Sequence, residues 1–73
     1  MTPTEFKQAR QLLGLSQREL GESLGWSGAK QISNLETGAR TITEQTALAV
    51  ECLLRRAGKW LEFSDNLKNS FQP

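Results

Sequence analysis

Apolar residues recur along this 73-residue chain at intervals of three and four, which is the spacing of amphipathic helices. Five apolar stripes follow one another, separated by glycines and short polar segments. In chain order they are Phe6-Ala9-Leu12-Leu13, Leu20-Leu24, Ile32-Leu35, Ala47-Val50-Leu53-Leu54-Ala57 and Trp60-Phe63-Leu67-Phe71. The pattern predicts an all-α fold, a compact bundle of four to five helices.

Capping signals indicate where the helices begin. Thr2 with Glu5, and Ser16 with Glu19, have the spacing of capping boxes, and Pro3 suits a first helical position. They predict helices over residues 3–13 and 17–24. Three further helices are predicted: one over residues 28–37, one from a cap at Thr41 or Thr43 to Gly58, and one over residues 59–69 that the Ser64-Asp65-Asn66 segment could interrupt.

The second and third predicted helices are joined by a turn that contains glycine. Gly25 can adopt the positive φ that ends the second helix, and Gly38 follows the third. The third helix buries Ile32 and Leu35 and surrounds them with polar residues. Two helices joined in this way, the second with hydrogen-bond donors on its outer face, are typical of a DNA-reading helix-turn-helix.

The run L-S-Q-x-E-L-x3-L-G followed by I-S-x-L-E-x-G-x-R resembles the phage repressor and Cro family of helix-turn-helix domains, the XRE type. The resemblance covers residues 5–54 and implies a lambda-repressor-like DNA-binding domain. The motif residues are Leu15, Ser16, Gln17, Glu19, Leu20, Leu24, Gly25, Ile32, Ser33, Leu35, Glu36, Gly38 and Arg40, with Arg10 and Gly14 upstream. Between Gly25 and Ile32 the chain has one residue more than the family spacing, so either the turn is longer or the third helix begins one residue later.

The resemblance implies which residues read the bases. Counted back from the Ile32–Glu36 segment, Ala29, Lys30 and Asn34 align with the family's base-contacting positions. Lysine can donate to guanine, asparagine matches the donor and acceptor of adenine, and alanine can touch a thymine methyl group. The alternative interpretation is an ordinary solvated helix face.

A second group of residues is expected to contact the DNA backbone. Gln17 and Arg18 stand in the first turn of the second helix, where free N–H groups favour a phosphate, and in similar proteins the residue at Gln17 clamps the backbone. Arg40 is expected to do the same from the loop after the third helix. The complete set is Gln17, Arg18, Gln31, Ser33, Arg40, Thr41 and Thr43.

Other conspicuous residues receive structural interpretations. The resemblance implies a partly buried ion pair between Arg10 and Glu36 that ties the first helix to the third. Trp26, in the turn, is expected to pack into the core rather than stack on DNA. Cys52 is expected to be a small buried or half-buried hydrophobic residue on the fourth helix.

Composition narrows the function classes. The net charge is only +1, which gives weak non-specific attraction to DNA, although Lys30 and Arg40 make the expected DNA surface positive. The chain has no histidine and one cysteine, which argues against a metal site, a disulfide, a cofactor or an enzyme. We expect a cytoplasmic protein without a membrane span.

These observations favour a homodimeric, sequence-specific transcriptional regulator, a repressor of a phage or mobile-element operon that binds double-stranded DNA at an inverted repeat. Residues 1–58 form the expected DNA-binding core. Residues 59–73 form a tail expected to mediate dimerisation through Trp60, Leu61, Phe63, Leu67 and Phe71, unless Trp60 and Phe63 only close the core. The alternative function is an antitoxin-like module whose tail binds a partner protein and for which DNA binding is secondary.

Overall fold

A computed structural model describes the backbone of residues 1–71 and the side chains of residues 1–65. Within this part the chain forms five α-helices and no strand, which confirms the predicted all-α fold. The helices are α1 (Pro3–Leu13), α2 (Gln17–Ser23), α3 (Lys30–Thr37), α4 (Glu44–Arg56) and α5 (Trp60–Phe71).

Local side-chain caps explain where α1 and α2 begin. The Thr2 hydroxyl accepts a hydrogen bond from the Glu5 backbone N–H at 3.1 Å, and the Glu5 carboxylate accepts one from the Thr2 N–H at 2.7 Å. Ser16 and Glu19 repeat this reciprocal arrangement at 3.0 and 2.9 Å. Both predicted capping boxes are therefore confirmed, and each satisfies backbone donors that a helix start leaves without an intrahelical acceptor.

The same logic decides between the two candidate caps of α4. Thr43 is the N-cap, and its hydroxyl accepts from the Thr46 N–H at 3.2 Å, so the helix begins at Glu44.

Helix α5 runs without a break through residues 64–66, where the sequence allowed an interruption. It extends past the predicted end at residue 69 to Phe71.

The core forms around α1, which packs against α3, α4 and α5, while α2 packs against α3. Phe6 and Ala9 on α1 have no exposed surface. The fully or nearly fully buried apolar residues are Phe6, Ala9, Leu20, Ile32, Leu35, Val50, Leu54 and Phe63. Every helix contributes at least one of them, so the packing of all five helices depends on the same core.

The expectation that the tail presents Phe63 at an interface is wrong. Phe63 is 2% exposed and belongs to the core, and the half-buried Trp60 packs against that core. Both residues close the bundle because α5 packs on α1 and α4. Leu61 is 75% exposed. The predictions for Leu67 and Phe71 fall outside the side chains that the structure describes.

Cys52 also differs from its predicted environment, since it is exposed and carries a free thiol. The inward face of α4 is centred on the buried Val50 and Leu54. Cys52 lies two residues from each of them, and two residues turn an α-helix by roughly 200°. That rotation places the thiol on the outer side of α4.

Candidate nucleic-acid interface

The turn between α2 and α3 spans residues 24–29 and begins with a helix-ending motif. Gly25 has φ +81°, a left-handed conformation that favours glycine. The Trp26 N–H donates to the Gly21 carbonyl at 2.8 Å, and the Gly25 N–H donates to the Glu22 carbonyl at 3.0 Å. This pair of bonds is a Schellman motif, so α2 ends one residue earlier than predicted.

Helix α3 begins later than the sequence pattern predicted. Gly28 has φ +83°, which is incompatible with an α-helix, and Ala29 is the N-cap of a helix that begins at Lys30. The prediction that the third helix begins at residue 28 is therefore wrong by two residues. Ala29 is half-buried and precedes the first turn of α3.

One face of α3 is directed away from the core. Ile32 and Leu35 are buried, whereas Lys30 is exposed and Asn34 is partly exposed on the other side of the helix. Ser33 is also partly exposed, and Gln31 is exposed at the edge of this face. The outer face is thus polar along its length and offers ammonium, amide and hydroxyl groups.

The sequence interpretation overlooked Thr37 on that face. Thr37 is exposed and lies seven residues after Lys30, that is, two helical turns further on and on the same side. Its hydroxyl donates to the Asn34 carbonyl at 3.3 Å. The same i, i+4, i+7 spacing that grouped Lys30 with Asn34 extends to Thr37 and could have identified it.

A notch of about 120 Å³ lies between α3, the following loop and the start of α4. Four of the residues predicted to contact the DNA backbone line it, together with Trp26, Leu35 and Thr46; the four are Gln31, Arg40, Thr41 and Thr43. The backbone N–H of Arg40 donates to the Asn34 carbonyl at 3.1 Å, which holds the loop against the end of α3. The notch therefore offers an exposed guanidinium and several hydroxyl groups in one place.

Trp26 packs against the core and is half-buried, as the sequence interpretation expected. Its side chain also forms part of the wall of the notch. This position explains how a large apolar residue can stand in a solvent-facing turn: it covers the gap between the buried face of α3 and the start of α4.

Arg10 and Glu36 form the central ion pair of the fold. Arg10 Nε donates to Glu36 Oε2 at 2.7 Å and Nη2 donates to Oε1 at 3.3 Å, with the side chains 14% and 5% exposed. A third guanidinium bond, from Nη1 to the Leu15 carbonyl at 2.9 Å, holds the turn before α2. The pair thereby connects α1, α3 and the loop between α1 and α2.

Gln17 belongs to the same network, because its Nε2 donates to Glu36 Oε1 at 3.2 Å. The amide is therefore held at the first turn of α2 before any ligand is present. The backbone N–H groups of Gln17 and Arg18 have no intrahelical acceptor at this helix start. The Arg18 side chain is 77% exposed and pairs with Glu22 at 3.1 Å, so it is available to solvent.

Electrostatics distinguish this surface from the rest of a nearly neutral molecule. Between residues 25 and 43, Lys30 and Arg40 are exposed, whereas the one carboxylate, Glu36, is neutralised by Arg10. At the start of α2 the backbone N–H of Ser16 and then its hydroxyl lower the pKa of the Glu19 carboxyl. The exposed charges of α3 and the notch, Lys30 and Arg40, are therefore net positive, whereas the α2 start carries one exposed cation, Arg18, and one exposed carboxylate, Glu19.

Among the described residues no group of three or more histidine, cysteine or acidic side chains is arranged to hold a metal ion. None of the helices in the described part is long and apolar enough to cross a membrane.

Comparison with known proteins agrees with this geometry. The family model described as helix-turn-helix matches residues 6–61, which include all of α2, α3 and α4. Neither the curated proteins nor the solved structures contain a significant match to the chain. Since the family model covers most of the sequence, the chain belongs to the helix-turn-helix family and is a DNA-binding transcriptional regulator.

Proposed function

We propose that this protein is a homodimeric, sequence-specific repressor of a phage or mobile-element operon, acting in the cytoplasm on an inverted-repeat operator. One observation carries the proposal: the polar outer face of α3, with Lys30 and Asn34, lies beside the notch that holds the exposed Arg40. A recognition helix needs this combination, because base edges specify the sequence and phosphates position the helix.

Asn34 and Lys30 are the proposed base readers. Each lies on the side of α3 opposite the buried Ile32 and Leu35, the side that enters the major groove when a helix-turn-helix binds. Ala29, at the N-cap, is the proposed contact to a thymine methyl group in the major groove. Thr37, two turns along, extends the reading face or reaches a flanking phosphate.

The backbone contacts are proposed on both sides of α3. The α2 start offers the N–H groups of Gln17 and Arg18, and the Gln17 side chain is already fixed by Glu36. The notch offers Arg40, with Gln31, Thr41 and Thr43 around it, and Ser33 lies between the two groups. A phosphate on each side of the recognition helix would set its register in the groove.

Homodimerisation follows from the reading capacity of one short helix. A helix of this length contacts only a few base pairs, whereas two symmetric copies on half-sites roughly 34 Å apart multiply the discrimination. The exposed part of the tail, Leu61, is the proposed contact between copies. Phe63 is excluded from it because it is buried in its own chain.

The function can be tested on the DNA that flanks the gene of this protein. Footprinting should reveal an inverted repeat, and mobility-shift assays should show operator binding that weakens steeply as salt rises. Leu61→Glu should convert the dimer to a monomer in sedimentation and weaken operator binding, while Leu48→Glu, at another exposed leucine, serves as control. Equal affinity for operator and scrambled DNA at physiological salt would exclude the proposed repressor.

An antitoxin-like module is the second candidate. It is favoured by the same Leu61, whose 75% exposure suits a partner protein as well as a second copy. Co-expression with the product of the neighbouring reading frame separates the two. A stable complex that is lost with Leu61→Glu supports the antitoxin-like function. A homodimer that does not bind the neighbouring gene product supports the repressor.

A further inference from the structure

A groove of about 260 Å³ lies between the start of α1, the outer side of α4 and the start of α5. Its lining consists of Met1, Glu5, Glu44, Ala47, Leu48, Glu51, Trp60 and Phe63. The described chain has three exposed large apolar residues, and two of them, Met1 at 39% and Leu48 at 57%, lie in this groove. Two of the three therefore lie side by side, and exposed apolar residues that cluster are characteristic of an interaction site.

The charged residues of the groove are predominantly acidic. Among the residues whose side chains the structure describes, three carboxylates line it, from Glu5, Glu44 and Glu51, and no lysine or arginine does. Glu5 is held by the Thr2 backbone N–H, and Glu51 is paired with Arg55 at 2.9 Å, just outside the lining. Within residues 1–65 the chain also brings the α-amino group of Met1 to the lining, so the described charges of the groove are negative on balance.

The aromatic wall of the groove is held in place by its own chain. The Arg55 guanidinium lies 4.5 Å from the centre of the Trp60 ring, and the Trp60 and Phe63 rings are 5.9 Å apart. Phe63 is buried, so it forms the floor, while Trp60 remains half-exposed. A rigid aromatic wall next to an exposed leucine can hold an apolar side chain at little entropic cost.

We propose that this groove binds a basic amphipathic segment of a partner protein, in which one or two large apolar side chains are flanked by lysine or arginine. The apolar side chains would lie against Leu48 and Trp60, and the cations would pair with Glu44 and Glu5. The volume is below the roughly 300–1,000 Å³ of small-molecule sites, which favours side chains of a peptide over a free ligand.

The charges also exclude two other occupants. DNA phosphates are repelled by the three carboxylates, and a two-fold contact of one groove with its copy would bring like charges together. No residue of α2 or α3 lines the groove; α3 packs on α1, and α2 packs on α3. The partner segment can therefore bind while α3 occupies the operator.

The test uses two synthetic helical peptides and the full chain. One peptide combines leucine with lysine on an amphipathic pattern, and the matched peptide replaces each lysine by glutamate. Calorimetry should show that the leucine–lysine peptide binds with a Kd in the range of about 1–100 μM. The leucine–glutamate peptide should not bind, because it meets the three carboxylates.

Two variants with matched controls locate the site. Leu48→Ala should weaken binding of the leucine–lysine peptide about tenfold, whereas Leu61→Ala, at the other exposed leucine, should leave the affinity unchanged. Glu44→Lys should weaken peptide binding about three- to tenfold, whereas Glu22→Lys on α2 should have little effect.

Tryptophan fluorescence gives a second readout of the site. In a Trp26→Phe chain, which retains Trp60 alone, bound peptide should shift the tryptophan emission to shorter wavelength.

Three results would overturn the proposal. The first is no binding of the leucine–lysine peptide at about 100 μM. The second is equal binding of the two peptides, and the third is an equal loss from Leu48→Ala and Leu61→Ala. None of these measurements involves DNA, so the groove is tested independently of the repressor function.

Discussion

The carbonyl oxygen of Gly28 lies 2.5 Å from the point that a β-carbon on Gly21 would occupy. Gly21 is buried inside α2, and Gly28 stands in the turn just before α3. The turn therefore folds back onto the helix that precedes it. This close approach requires a residue without a side chain at position 21.

Gly21→Ala should destabilise the fold, although alanine is ordinarily the better helix former by about 0.5–1 kcal/mol. The added methyl group collides with a backbone atom that cannot rotate away, so the expected net loss is about 1–3 kcal/mol. Urea unfolding followed by circular dichroism measures it. Glu22→Ala, at the next and exposed position of α2, is the control, and an unchanged or higher stability for Gly21→Ala would contradict the close approach.

Arg10→Met should cost about 3–5 kcal/mol of unfolding free energy, because it strands the Glu36 carboxylate at 5% exposure. Combining it with Glu36→Leu should recover much of the loss, since a pair of apolar residues leaves no buried charge. Arg18→Met, which breaks an exposed pair with Glu22, should change stability by less than about 1 kcal/mol. Additive effects of the two core substitutions would mean that Arg10 and Glu36 are not coupled.

Asn34→Ala should relax base preference at one position of each half-site, at a cost of about 1–3 kcal/mol for the preferred base. Arg40→Ala should instead weaken all operator variants about equally and lower the salt dependence of binding by about one phosphate contact. Affinities for a set of single-base operator variants separate the two outcomes. An unchanged profile for Asn34→Ala would show that a different residue of α3 reads that position.

Glu19→Gln should remove a pH-dependent part of the stability. The Ser16 backbone N–H holds the pKa of Glu19 below its ordinary value, so the ionised carboxylate stabilises the folded state above that value. This contribution is lost as the pH falls through the lowered pKa. Melting temperatures of the two chains should differ most near neutral pH and converge in acid, and a constant difference at every pH would refute the interpretation.

Local signals predicted the starts of α1 and α2 and left two candidate caps for α4, because a cap needs only residues three apart in sequence. Thr2, Ser16 and Thr43 each accept a hydrogen bond from the backbone three residues later. The end of the turn was predicted less well. Whether Gly28 is helical depends on its contact with Gly21, seven residues away, and no local propensity reports that contact.

Whether a neighbouring helix covers an apolar stripe depends on tertiary packing, which the spacing of residues along the sequence does not report. The stripe in α5 showed that Trp60 and Phe63 share a face, but not that α1 and α4 cover it. Cys52 is the opposite case: it lies outside the apolar stripe of α4, so its exposure was already contained in the helical period. The position of Thr37 was likewise contained in the helical period, because it lies seven residues after Lys30 on the same face of α3.

The position of helix α1 determines which parts of the molecule unfold together. Its contacts with α3, α4 and α5, and the complete burial of Phe6 and Ala9, make it the element through which the DNA-facing surface and the acidic groove are joined. The amide hydrogens of α1 should therefore exchange with solvent only through global unfolding. The reading surface and the groove consequently melt together, as one cooperative unit.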